Sequence, residues 1–196
     1  MGIQDLSDEE LIIKAIELKK SPNDFWSVVK EYYEAIYNRY YQKAFLFCRY
    51  YGLRYDDSHD AVQEAFINLY NNMHTFKSNK KFKPWFFTIV FNCIKNKYNM
   101  LKKNKYSDLD TYRESEELKE INIFEKVQEK AHIRDIISKL PEKLKRVIIL
   151  KIYSNLNSQE ISEVLKITER QVFKIQNQAY EILAKLFVSE GDKYEK

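Results

Sequence analysis

The sequence predicts an all-α protein made of two small helical bodies joined by a flexible linker, and three observations lead there. Apolar residues recur at helical spacing along nearly all of the 196 residues, and no period-two alternation bounded by turn residues competes with them. Three glycines and three prolines leave no material for a glycine-rich phosphate loop, a dinucleotide fingerprint or a β-architecture with many tight turns. Charge also changes sign along the chain. Residues 1–104 carry 16 basic and 12 acidic side chains, 105–130 carry 5 and 8, and 131–196 carry 12 and 9, so two mildly basic bodies flank an acidic connector.

Ser7 with Glu10 three residues later is a capping-box pattern, and Leu11, Ile12, Ala15 and Ile16 carry the first helix to about Lys20. Pro22 restarts the chain in a first-turn position, where its missing N–H costs nothing. An aromatic-rich helix over Phe25 to Tyr51 stops at Gly52. Asp56-Asp57-Ser58 reads as the turn that caps the next helix. That helix shows Ala61, Val62, Ala65, Phe66, Leu69 and Tyr70 on one face and Asp60, Gln63, Glu64 and Asn68 toward the other. Asn71 to Lys83 is a polar, lysine-rich loop, after which Pro84-Trp85 opens a long helix through about Lys103.

Tyr106 to Leu118 has no sustained apolar stripe and an acidic excess, as a linker should. Helicity resumes near Phe124 and reaches Leu140, and Pro141 starts another helix ending near Tyr153. Asn157 with Glu160 caps a short helix, and Thr168 with Gln171 caps the last, which runs to about Phe187.

Composition narrows the chemistry. With 44% apolar residues the chain can bury a core although 32% of it is charged. No run approaches the ~18 apolar residues of a membrane span. The acidic segment Met1 to Glu10 does not read as a secretory leader, so the expected compartment is the cytoplasm. Cys48 and Cys93 stand alone and His59, His74 and His132 are scattered, which supports neither a metal centre nor a disulfide framework. Cys48, inside Phe45-Leu46-Phe47, reads as a buried helix residue. No Ser/His/Asp set or apolar carboxylate pair emerges, so no catalytic residue, metal or cofactor is assigned and the chain is not read as an enzyme.

Two stretches carry chemistry. Between Glu64 and Asp108 there is no carboxylate, while nine lysines interleave with Phe76, Phe82, Trp85, Phe86, Phe87, Phe91 and Tyr98. Cations without competing anions replace counterions on a phosphate backbone, and rings can stack on unpaired bases. The plainer account is a solvated basic face over an aromatic core. The second stretch, Leu156 to Val172, has a short helix, a tight turn at Leu165-Lys166-Ile167 and a capped longer helix. This is the pattern of a helix-turn-helix, whose second helix sets its N-terminal residues against base edges; a generic helix hairpin shares it.

Together the stretches resemble a family. Asp60-Ala61-Val62-Gln63-Glu64-Ala65-Phe66 resembles a motif of bacterial RNA polymerase sigma factors, Phe82 to Asn92 is similar to their following Trp-containing element, and Leu140-Pro141-Glu142 through Ala179 to their C-terminal helix-turn-helix. Order and spacing match the two-domain ECF (extracytoplasmic function) group. The resemblance implies a region 2-like helical bundle over residues 7–104, a linker over 105–123 and a region 4-like helix-turn-helix over 124–188. It further implies a subunit that recruits core RNA polymerase to promoters and promotes melting, with core polymerase and promoter DNA as partners, an anti-sigma factor as a further one, and no membrane insertion.

Carried over by position, the resemblance implies that Asp60, Gln63 and Glu64 bind polymerase. The loop residues Lys77, Ser78, Asn79, Lys80 and Lys81 receive a base flipped from the minus-ten element, and Asn92, Lys95, Asn96 and Asn99 line the single strand. Arg170, Phe173, Lys174 and Gln178 face the minus-thirty-five major groove. The chain departs from the family where Phe91, Asn96 and Asn99 replace the usual Arg, Asp and Arg, and where Phe173, Ile175 and Gln178 stand at positions in which Lys or Arg is common. Two other readings stay open on the residues alone. A stand-alone helix-turn-helix regulator would have no use for the Asp60, Gln63, Glu64 motif, and a helical interaction adaptor would leave the carboxylate-free stretch unexplained.

Overall fold

A computed structural model describes residues 2–20, 26–105 and 136–191. After a 3₁₀ turn at Ile3–Asp5 come α1 (Asp8–Lys19), α2 (Trp26–Tyr50), α3 (Tyr55–Asn72), a second 3₁₀ turn at Met73–Thr75, and α4 (Phe82–Lys105). The C-terminal part holds α5 (Glu142–Ile152), α6 (Ser158–Leu165) and α7 (Glu169–Gly191). No strand occurs among the described residues. The expected linker, the restart at Pro22 and the helix start near Phe124 lie outside the described residues.

Helix α1 opens with three consecutive carboxylates that each do a different job, because neighbours on a helix point about 100° apart. Glu10 accepts the Ser7 N–H at 2.7 Å while Ser7 Oγ accepts the Glu10 N–H at 3.2 Å, closing the expected capping box. Asp8 reaches α2, accepting from Arg39 Nη1 at 3.0 Å and from the Tyr40 hydroxyl. Glu9 reaches α4, accepting the Phe82 N–H at 2.9 Å. On the inward side Leu11, Ile12 and Ala15 are fully buried.

The bundle of α2, α3 and α4 is packed with rings. Tyr40, 1% exposed, lies edge-on to Phe82, Phe86 and Phe87 with centroids 5.2, 5.3 and 6.4 Å away. Burial, reinforced by the bond to Asp8, holds the Tyr40 phenol far above its usual pKa, so it stays a neutral donor. Replacing Asp8 by Ala leaves that buried hydroxyl without its acceptor, and a loss of about 1–3 kcal/mol is expected as a lower urea midpoint at unchanged slope.

Gly52 ends α2 with φ of +97°, and a Cβ there would lie 2.8 Å from the Tyr98 hydroxyl, which donates to the Tyr51 carbonyl at 2.7 Å. Helix α3 begins at Tyr55, three residues before the end of the expected Asp56-Asp57-Ser58 turn. Asp56 and Asp57 sit inside its first turn, where negative charge suits the helix dipole, and Ser58 is buried and donates to the Arg54 carbonyl at 2.7 Å. The expected loop over Asn71 to Lys83 is shorter. Thr75 Oγ1 donates to the Asn72 carbonyl within the 3₁₀ turn, and α4 starts at Phe82, which places Pro84 inside the first turn.

In the C-terminal part, Leu144, Val147, Ile148, Ile149 and Leu150 of α5 are buried, and α6 is capped as expected by the Asn157/Glu160 box. Lys166 makes the turn to α7 in a left-handed conformation, φ 55°. The two parts touch. Helix α4 packs against α6 and α2 against α5. The Tyr50 and Tyr153 rings stack at 3.7 Å, and the Arg146 guanidinium lies 5.4 Å from the Tyr51 ring centroid.

Candidate nucleic-acid interface

The loop between the second 3₁₀ turn and α4 is held at both ends by buried rings. Phe76 and Phe82, 7% and 0% exposed, lie 6.2 Å apart, and the half-buried Trp85 ring contacts both at 5.2 and 6.0 Å. Between these anchors Lys77, Ser78, Asn79, Lys80 and Lys81 are all exposed, and the Lys80 N–H donates to the Lys77 carbonyl at 2.9 Å to form a tight turn. Anchored ends leave five side chains free for a ligand while limiting the entropy that binding must remove.

Ten residues into α4 begins a polar stripe. Asn92, Lys95, Asn96 and Asn99 are exposed and fall at intervals of three and four, so they share one helix face. The Lys95 ammonium sits 4.2 Å from the Phe91 ring centroid. Phe91 itself, like Phe76, Phe82, Phe86 and Phe87, is buried, and Trp85 and Tyr98 are half-buried, so this run of aromatics builds the core under the cations.

Lys97 behaves differently from its neighbours. It donates to Asp60 Oδ2 at 2.9 Å and lies 3.7 Å from Asp57 Oδ1, which raises its pKa chiefly through the bond to Asp60. One cation of the carboxylate-free stretch is thus neutralised from α3. On α3, Asp60 and Gln63 are exposed and Glu64 is half-buried on one face. Asp60 is tied to Lys97. Sequence reasoning missed Ile67, 59% exposed and one turn beyond Gln63 and Glu64 on that face. An apolar residue at the spacing of the polar ones was the available signal. Asn68 beside it turns inward, its Nδ2 donating to Cys93 Sγ at 3.5 Å.

Thr168 and Gln171 close a reciprocal cap at the start of α7, with Thr168 N–H donating to Gln171 Oε1 at 2.9 Å and Gln171 N–H to Thr168 Oγ1 at 3.2 Å. Arg170, Phe173, Lys174 and Gln178 are exposed on its first turns, and Phe173 exposes 52% of its surface. Ile175, which stands at a position where Lys or Arg is common in the family, is 4% exposed and belongs to the core. Gln176 is also buried and accepts from Ser158 Oγ at 3.3 Å across the turn.

Burial pushes the Cys93 thiol up to about 11 and the fully buried Cys48 thiol higher still. No cluster of three His, Cys, Asp or Glu that could hold a metal ion occurs among the described residues, and none of their helices is long and apolar enough to cross a membrane.

Comparison with known proteins bears on both parts. The family model for sigma-70 region 2 matches residues 36–104 and that for sigma-70 region 4 matches residues 131–174, together more than half of the chain. Similar curated proteins include the ECF RNA polymerase sigma factor SigW of Bacillus subtilis (strain 168), 29% identical over 81% of this chain and 87% of the relative. The ECF RNA polymerase sigma-E factor of Escherichia coli (strain K12) is 32% identical over 56% of this chain and 62% of its own. Among solved structures the fold is similar to CnrH in complex with the cytosolic domain of CnrY, with a TM-score of 0.66 at 18% identity over 93% of this chain and 97% of that one. It is also similar to RpoE in complex with the anti-sigma factor NepR from Bartonella quintana, with a TM-score of 0.54 at 14% identity over 74% and 89%.

Proposed function

Because the chain belongs to the ECF group of the sigma-70 family, and so directs RNA polymerase to promoters, we propose a division of labour among its exposed residues. Gln63, Glu64 and Ile67, with Asp60 at the edge, dock on core polymerase; an apolar side chain ringed by polar ones suits a surface that stays solvated when free and dries on binding. Lys77 to Lys81 receive a base flipped from the minus-ten element, and Asn92, Lys95, Asn96 and Asn99 follow the non-template strand. Arg170, Phe173, Lys174 and Gln178 read the minus-thirty-five groove.

Flipping costs a few kcal/mol, offset by pocket contacts and by phosphate neutralisation. A protein that binds the melted strand better than the duplex shifts that equilibrium without hydrolysing anything, so no catalytic residue is needed. We assign the region 2-like unit to residues 7–104, the linker to 105–123 and the region 4-like unit to 124–188. The protein works where core polymerase is, in the cytoplasm. An anti-sigma factor is a further partner, as one is for RpoE of Bartonella quintana.

The observation that carries this reading is the occurrence of both sigma regions in order, with the exposed cationic loop inside the first of them. A stand-alone helix-turn-helix regulator would leave the match to residues 36–104 without a purpose. The test is a pull-down of core polymerase followed by run-off transcription from genomic fragments. Retention of polymerase and discrete transcripts are expected, and no binding by the wild-type chain rejects the reading.

Phe173 gives a sharper prediction for the upstream element. An exposed ring between Arg170 and Lys174 suits contact with a thymine methyl. Replacing thymines of the upstream element by deoxyuridine, one at a time, is expected to weaken holoenzyme binding about threefold at one position, a few tenths to 1 kcal/mol of apolar contact. The same replacement leaves Phe173→Ala unaffected. Equal sensitivity of the two proteins refutes the contact.

A further inference from the structure

We propose that Glu9 is a positioning residue for the base-capture loop: from α1 it supplies the N-terminal cap of α4 that the loop's own last residue, Lys81, cannot. Three of the described helix starts use a local acceptor. Ser7 caps α1, Asn157 caps α6 and Thr168 caps α7, each by accepting a backbone N–H from its own first turn. Helices α3 and α5 follow Arg54 and Pro141 with no side-chain cap, and α4 follows Lys81, whose ammonium has donors and no acceptor; α4 differs in receiving its acceptor from another helix. Pro84 removes one first-turn N–H, and Glu9 Oε1 takes that of Phe82 at 2.9 Å across 73 residues of sequence.

The other end of α1 secures the element before the loop. Lys19 Nζ donates to the Tyr70 carbonyl at 2.8 Å and lies 3.7 Å from the Tyr70 ring centroid, near the end of α3. One helix therefore grips α3 before the loop and α4 immediately after it. Glu9 also lines a polar cleft of about 310 Å³ with Asp8, Arg39, Lys81, Lys83 and Glu160. Loss of the cap frays the first turn of α4, and with it the anchor Phe82 and the direction in which Lys80 and Lys81 leave the loop.

This inference rests on the reading of residues 77–81 as the loop that takes the flipped base. The experiment uses the full chain with core polymerase on the promoter fragment recovered by run-off, with permanganate reactivity of unpaired thymines as the readout. Glu9→Ala is expected to lower the opening equilibrium about fivefold, the equivalent of about 1 kcal/mol of capping, with affinity for core polymerase held within twofold. Glu9→Gln keeps an oxygen acceptor and recovers most of the opening. Glu10→Ala, which uncaps α1 itself one residue on, leaves opening within twofold once compared at equal fractions folded.

If Glu10→Ala lowers opening as much as Glu9→Ala, or if Glu9→Gln is no better than Glu9→Ala, the proposal is overturned. Normal opening by Glu9→Ala alongside loss in Lys80→Glu/Lys81→Glu also overturns it while sparing the loop assignment. Normal opening in the lysine variant removes that assignment, and this proposal with it.

Discussion

Replacing Lys80 and Lys81 together by glutamate is expected to reduce open-complex formation about a hundredfold at physiological salt, while affinity for core polymerase changes less than twofold. Both side chains are exposed on a loop whose ends are fixed by Phe76 and Phe82, so the substitution changes charge without touching the core. Each reversal exchanges attraction to a phosphate for repulsion and costs on the order of 1–2 kcal/mol at close range. The salt dependence gives a second reading. Two lost contacts to single-stranded phosphate should lower the log–log slope by about 1.4. Permanganate footprinting across a salt series measures both quantities, and an equal loss of opening and polymerase binding rejects the role given to the loop.

On α3 of the same unit, Gln63→Ala combined with Glu64→Lys is expected to weaken binding to core polymerase about a hundredfold. Gln63 is exposed and Glu64 half-buried on α3. Charge reversal at the centre of a docking face places like charges or unpaired polar groups in a desolvated contact, which commonly costs 2–4 kcal/mol. Ile67→Asp tests the apolar centre separately. Asp60 is a poor choice for this experiment because its carboxylate holds Lys97, so its loss would disturb α4 as well. Competition between labelled wild type and variant for core polymerase decides the matter; affinity within twofold of wild type sinks the assigned face.

The features legible in the sequence were those written over a few neighbouring residues. Ser7 with Glu10, Asn157 with Glu160, and Thr168 with Gln171 predicted helix starts because a capping box needs only four consecutive residues. Gly52 predicted a stop because a left-handed turn favours glycine. The start of α3 was misread because Asp56 and Asp57 suit a first turn as well as a cap, and only the position of Leu53 and Arg54 in the fold separates the two.

Tertiary partnerships were hidden. Lys97 looked like one more free cation because Asp57 and Asp60 lie some forty residues away in sequence. Ile175 stands where Lys or Arg is common in the family, and only its packing shows that this position faces inward here. Nothing local to Phe82 announces that Glu9 caps it, nor does anything near Tyr50 announce Tyr153. The acid-free stretch was a sound guide to where cations concentrate, while its rings proved to be core.

The three carboxylates that open α1 also bear on what counts as a module. The region 2 match begins at residue 36, yet the acceptor for the Tyr40 hydroxyl and the cap of α4 come from Asp8 and Glu9. A fragment cut at residue 36 would keep the whole matched pattern and lose both groups, together with the start of α2 and the Tyr33 hydroxyl that donates to the Phe66 carbonyl. The length by which this unit is recognised and the length over which its polar groups find their partners are therefore different quantities, and the difference includes α1 and the first ten residues of α2.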